Sequence, residues 1–336
     1  MLDAGLAMIS DPDGKLVALR TEDAVTTVRQ EAGWIKLDRL SLIRVGGPQR
    51  VKFLHNLLSN DITGLTPGHS RLAALMNLKG QQVAWMRVLA EAEALICELP
   101  LEVREPVVET FAHYKVGAPV RFEKPDAVIF GLFGTKAPET MSALGFTDAP
   151  AAPETFTAVP GVSGTLRVSR GIDMPASGFT LHADAVSAGA VEEKLQSLLG
   201  DPISPAILET LRVEEGIPWH GIDVKEENLL HETGQIEIYH SSSKGCYLGQ
   251  EVVARLEGRG GNVNKRFRGL KCSRTVSAGD EILADEKVVG RVTSAGVSPK
   301  FGAIAMGYVH RSHADPGTRI SLAGGEAEVV SLPFKD

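Results

Sequence analysis

From Val263 onward the chain changes character. EILADEKVVGRVTSAG, AIAMGYVH, TRISLAG and AEVVSLPF are short runs of alternating residues separated by Gly, Asp and Pro turns. Alternation puts apolar side chains on one face of each strand, and several such strands bury that face by forming a small β-barrel or sandwich. The whole chain has 336 residues, enough for two or three compact domains, so this tail accounts for one of them.

The remainder mixes periods. TEDAVTTVRQEAGWIKLDRLSLIRVGG has β-rich segments and ends in two glycines before Pro48. Proline suits the first turn of a helix, and Val51, Leu54, Leu57 and Leu58 recur at helical spacing up to Asn60. His55 beside that stripe reads as a packed histidine. Residues 71–89 read as two strands joined by a turn at Lys79-Gly80, residues 101–114 as a helix and 116–122 as a strand. Residues 136–160, rich in Ala, Thr and Pro, are expected to form a long exposed loop or a boundary between subdomains. A helix is expected over about 191–199, stopped by Gly200. This order points to an α+β layer and not to a wholly parallel sheet. The expected division is 1–122, 123–258 and 259–336.

Composition excludes several classes. Three cysteines, Cys97, Cys246 and Cys272, make neither a disulfide framework nor a C-x-x-C zinc site, and a reducing cytoplasm is the expected setting. The first 15 residues lack the basic and apolar regions of a secretory signal, and no apolar run is long enough for a membrane helix. The net charge of −7 excludes a bulk basic nucleic-acid binder. That charge is uneven: residues 209–237 carry −6 and residues 255–274 carry +6. Two solvated faces would explain it; so would a site that takes a donor-rich group at one end and an anionic tail at the other.

Standard motifs are missing: there is no phosphate loop and no G-x-S-x-G elbow. His231-Glu232 resembles the start of a zincin helix, but Gln235 stands where the second histidine belongs, so no metal site is expected. Two stretches carry chemistry. In SPAILETLRVEEGIPWHGID, Ser204 and Pro205 start a helix and Gly216 with Pro218 stops it. Glu214 and Glu215 then sit in the last turn, where the helix dipole disfavours anions by roughly 0.3–1 kcal/mol. An exposed carboxylate tolerates that cost; alternatively, one glutamate accepts paired N–H donors of a ligand. In SSSKGCYLGQEVVARLEGRGG, Gly245 and Gly249 bracket Cys246 and Tyr247, and Lys244 stands close enough in sequence to favour a thiolate.

KGCYLGQE, residues 244–251, resembles the signature of YgfZ-type proteins, folate-binding relatives of the glycine-cleavage T-protein (aminomethyltransferase) that support iron–sulfur cluster assembly or maintenance. FLHNLLSNDITGLTPG, LRVEEGIPWHGID, GRVTSAG and the final LPF resemble further family segments in the same order. The resemblance implies ferredoxin-like α+β subdomains and a small C-terminal barrel around a central folate cleft. It implies tetrahydrofolate or a folate derivative as cofactor, with Glu214 on the donor-rich pterin edge. Asn60, Asp61, Arg212, Tyr247, Gln250, Glu251 and Arg255 are the other expected binding residues, and the basic stretch after Arg255 is expected to face the folate tail. Cys246 is implied as the functional thiol, with Lys244 beside it. The sequence departs from the aminomethyltransferases at LKGQQVAWMRVL, where Ala84 and Trp85 occupy the place of an acid. Without that carboxylate, proton transfer at a folate nitrogen loses its partner, which argues against T-protein activity. The usual proline near His231 is missing as well.

These readings favour a folate-binding accessory factor for iron–sulfur client or assembly proteins. One thiol does not hold a four-cysteine cluster, so the role depends on a partner. A folate-dependent one-carbon transferase is the alternative. A tRNA-modification factor, with tRNA as partner of the basic cluster at 255–274, is the third reading and would bind in a salt-sensitive manner.

Overall fold

Strict alternation along two central strands sets the architecture. The structure is a computed structural model that describes residues 6–10, 16–146, 149–160 and 165–335. In the strands Gln82–Ala90 and Ala94–Pro100, one face carries Ala84, Met86, Val88, Leu95, Cys97 and Leu99. That face packs on Phe53, Leu54 and Leu57 of the helix Arg50–Leu57 and on Val107 and Phe111 of the helix Arg104–Tyr114. The opposite face carries Trp85, Arg87, Leu89, Ile96 and Glu98, so a period of two divides one pair of strands between an apolar layer and a partly charged one.

These strands belong to a five-stranded antiparallel sheet ordered Ser70–Met76, Gln82–Ala90, Ala94–Pro100, Leu40–Gly46 and Arg121–Glu123. A second five-stranded sheet runs Thr155–Pro160, Thr165–Arg170, Phe179–Asp184, Ala127–Phe133 and Gly33–Lys36. Its outer face takes Met141, Val191 and Leu195 from the helices Ala137–Ala143 and Ala185–Leu199. Between the sheets lies a third apolar cluster that includes Leu42, Leu89, Ile129, Phe133, Ile207 and Leu211. The tail closes as a six-stranded barrel, as its alternation predicts. The helix Pro205–Glu214 joins barrel to body: Val213 sits in a cluster with Phe267, Ile304, Met306 and Tyr308 of the barrel.

Several local expectations need correction. Residues 136–160 are not one loop. They hold the helix Ala137–Ala143, with Pro138 in its first turn where a missing N–H costs nothing, and the strand Thr155–Pro160. The strand expected over 116–122 is only Arg121–Glu123, because Gly117 at φ +74° and then Pro119 hold the preceding segment in a turn. The helix before Gly200 begins six residues early, at Ala185, where Asp184 accepts from the amides of Val186 and Ser187. Among the described residues, no helix is long and apolar enough to cross a membrane.

Candidate active site and motif loop

The two sheets leave a cavity in two compartments. The inner one, about 50 Å³, is lined by Arg39, Trp85, Arg87, Glu98, Trp219 and His220, among others. The outer one, about 280 Å³, is walled by Ile172, Ile217, Ile238, Leu332 and Pro333 and carries Glu215 and Gln235. Leu72, Asp173, Pro218 and Tyr239 line both. Trp85 stands on the cavity face of its strand and stacks on Tyr239, with ring centroids 4.0 Å apart and planes 27° from parallel. Its indole N–H donates to Gln82 Oε1 at 2.9 Å. The cavity-facing member of the Ala84-Trp85 pair is therefore an aromatic wall, while Ala84 points into the helix layer.

Buried charge concentrates on this face. Arg87, 2% exposed, lies between Glu98, at 3.3 Å, and Asp173. Glu98 also meets Nε2 of the buried His182 at 2.5 Å. Burial alone would raise the Glu98 carboxyl, but Arg87 and His182 outweigh it and hold it down at about 2. For Asp173 the balance reverses: burial raises its carboxyl in spite of Arg87, and Glu98 adds to the rise. Arg39 donates to the carbonyl of His220 at 2.8 Å and lies over Trp219, 4.4 Å from the ring centroid. Its guanidinium is brought down to about 10, first by burial and then by Arg212. His220 is 6% exposed, and burial lowers it to about 4 against the pull of the Gln82 backbone.

The two glutamates at the end of the helix Pro205–Glu214 part company. Glu214 pairs with Arg29 and is buried, with Oε1 unpartnered; it does not line either compartment. Glu215 lines the outer compartment, accepts from the Ala176 amide at 2.7 Å, and is raised by burial. Both anions thus gain a partner to offset the unfavourable helix dipole. Arg212 is fully buried and spent on structure. It donates to Glu209, to Asp223 at 2.5 Å, to the Ile217 carbonyl at 2.7 Å and to Ser294 of the barrel at 2.6 Å.

The KGCYLGQE motif sits on another side of the same wall. Lys244 Nζ donates to the carbonyls of His55, Leu58 and Asn60 at 2.5, 2.5 and 3.2 Å, closing the end of the helix Arg50–Leu57. Burial lowers its ammonium to about 8, against the pull of Asp61. Lys244 therefore serves backbone carbonyls, and no contact ties it to Cys246. The Asn60 amide donates to the carbonyls of Leu72 and Ile238, while Asp61 is ionised at lower pH than usual by the Thr63 hydroxyl and amide. Ser59 Oγ donates to the Tyr239 carbonyl at 2.5 Å. Residues 58–60 thus touch both Lys244 and the short helix Ile236–Tyr239, whose Ile238 and Tyr239 line the cavity. Tyr247 is buried with its hydroxyl unpartnered, and Gln250 Oε1 accepts from its amide at 3.1 Å. Cys246, Glu251 and Arg255 are exposed.

One glycine of the motif carries the close approach. Gly249, at φ +82°, lies so near the turn of the first hairpin that a Cβ would stand 2.5 Å from the Asn77 carbonyl oxygen. Across the same contact a Cβ on Gly80 would stand 2.7 Å from Val252. Gly245 has open space around it. The basic stretch lies elsewhere: Arg268, Lys271 and Arg274 donate to carbonyls on or beside the barrel, and none of residues 255–274 lines either compartment. Sequence reasoning missed Arg39, Arg87, Glu98, Asp173, His182 and His220. A signal existed for two of them, because Arg87 and Glu98 are the charges inside QVAWMRVLA and ALICELP, in phase with Trp85.

Comparison with known proteins gives the family and the fold. Residues 265–336 match the glycine cleavage T-protein C-terminal barrel domain. The chain is 30% identical over 253 residues to the tRNA-modifying protein YgfZ of Yersinia pestis (strain Pestoides F), covering 74% of each. The chain belongs to the YgfZ family. It is also 26% identical to an aminomethyltransferase of Streptomyces coelicolor, over 91% of this chain and 87% of that one. A crystal structure of glycine cleavage system aminomethyltransferase T from Bartonella henselae superposes with a TM-score of 0.85 at 21% identity, covering 98% of this chain and 94% of that chain. This YgfZ-type chain has the aminomethyltransferase fold, with the expected closed barrel at its end.

Proposed function

We propose that the protein binds a reduced folate in the two-compartment cavity and acts as an accessory factor for iron–sulfur proteins through the exposed loop around Cys246. The observation that carries the first half is the outer compartment itself. Its apolar walls and two carboxylates, Asp173 and Glu215, suit a flat heterocycle with a donor-rich edge. The inner compartment is too small for a ring system, so the heterocycle occupies the outer one and reaches Tyr239 beside the Trp85 stack. In this reading Glu215 meets the donor edge, and Glu214 anchors the helix through Arg29.

Calorimetric titration with tetrahydrofolate checks it, using Glu214→Gln and Glu215→Gln in parallel. Glu215→Gln is expected to weaken binding at least tenfold and Glu214→Gln to weaken it less. The reverse order moves the pterin edge to Glu214, and no binding to the unaltered protein ends the folate reading.

Burial raises the Cys97 and Cys272 thiols to about 12 and about 11, which leaves the exposed Cys246 as the thiol open to a partner. Cells lacking the protein are expected to lose iron–sulfur enzyme activity and to regain it with the unaltered protein but not with Cys246→Ser. Full rescue by Cys246→Ser removes the thiol from the role. The name of the Yersinia relative favours a second reading, service to tRNA modification, in which tRNA is a direct partner of the basic surface at Arg255–Arg274; absence of tRNA binding at low salt rejects it.

A further inference from the structure

We propose that Asp173 is the acid of the cavity: it holds the one exchangeable proton of the buried Arg87–Glu98–His182 network and presents it to a ligand nitrogen in the outer compartment. Asp173 lies in the turn that follows the strand Thr165–Arg170 of the second sheet.

Three observations carry the assignment. The first is position. Of the four residues that line both compartments, Asp173 is the one carboxylate, and the other three are Leu72, Pro218 and Tyr239. The second is charge. Arg87 is a single cation between two carboxylates, the buried Glu98 and the half-buried Asp173, so it cannot fully compensate both and the pair favours one proton. The third decides where that proton sits. Glu98 takes donors from Arg87 and His182, which favours its ionised form. A second proton on His182 would place an N–H at Nδ1, which is buried and has no acceptor. Asp173 remains, with Oδ1 held by Arg87 and its carboxyl open to the cavity. The burial-driven rise of its carboxyl agrees.

The other ionisable groups on this face do not compensate it. Arg39 and Arg212 share Glu102, Asp223 and Glu209, His220 is kept neutral by burial, and burial raises the hydroxyl of Tyr239. Glu215 faces the outer compartment with its own amide donor. In the proton transfer, the O–H bond of Asp173 breaks and an N–H bond forms on the ligand. The carboxylate left behind stays paired with Arg87, and solvent later returns the proton. Arg87, Glu98 and His182 act as positioning residues.

Two readouts test this, and only the second rests on the folate reading. In protein carrying ¹³C-labelled aspartate, the carboxyl resonance absent from Asp173→Asn is expected to stay protonated at pH values where the surface aspartates have ionised. If it titrates with the surface aspartates, the proposal fails. ¹⁵N NMR of bound tetrahydrofolate labelled at its N5 amine then reports whether that nitrogen carries the additional proton. In the unaltered protein and in His182→Gln it is expected to be protonated at neutral pH, and in Asp173→Asn it is expected to bind unprotonated. Equal protonation in Asp173→Asn overturns the acid and leaves the folate site standing. A raised Asp173 titration with no folate binding overturns the folate reading and leaves the acid standing.

Discussion

The cavity and the KGCYLGQE loop are built on opposite plans. The loop takes its residues from eight consecutive positions, and its chemistry faces outward at Cys246. The cavity takes Arg39, Arg87, Glu98, Asp173 and His220 from separate places in the chain, with His182 behind Glu98, and buries all of them except Arg39 and Asp173, which are half-buried. In the cavity, charges are costly to leave unpaired, so each residue is fixed by its partners. In the loop, geometry is fixed by backbone contacts: Lys244 on three carbonyls and Gly249 against the hairpin turn. Altering the cavity is therefore expected to disturb stability, and altering the loop tip is expected to disturb function alone.

Four measurements sharpen that contrast. The largest effect is expected for Arg87→Met, which leaves Glu98 and Asp173 without their shared cation. Removing one partner of a buried pair costs about 3–5 kcal/mol, so urea unfolding should show a loss of that size. An unchanged midpoint would break the claim that the cavity charges are mutually dependent.

His220 supplies the second. Its folded value, about 4, lies below the unfolded value of 6.5, so the unfolded chain binds the extra proton between them. Stability from this group is complete above the unfolded value and falls as pH drops toward 4, by on the order of 2–3 kcal/mol in all. Denaturation curves across this window should be flatter for His220→Phe.

Gly249→Ala comes third, because the substitution needs a positive φ and meets the Asn77 carbonyl. A loss of about 1–3 kcal/mol in thermal unfolding is expected. Cys246→Ser comes last. An exposed side chain without a structural role should change stability by no more than about 0.5 kcal/mol. A large loss there would mean that the loop tip is structural after all.

How much was legible follows the same divide. The barrel, the hairpin turning at Lys79-Gly80 and the helix starting at Pro205 depend on neighbours within a few residues, and their patterns were readable. The segment 136–160 misled because Pro138 and the alanines fit a helix start as well as a loop. Glu214 and Glu215 were equivalent as letters. Arg29, 185 residues away from Glu214 in the chain, makes them different. Lys244 was next but one to Cys246 in sequence, yet its ammonium reaches back to residues 55–60.

The sequence by itself determined the α+β class, the barrel and the contiguous motif that marks the family, because periodicity, turn chemistry and short motifs are local properties. Only the tertiary structure decided which face Trp85 takes, which glutamate meets the cavity and that Asp173 shares Arg87 with Glu98. Those outcomes depend on charges 86 and 84 residues apart being forced together where water no longer screens them, and no local pattern encodes that meeting.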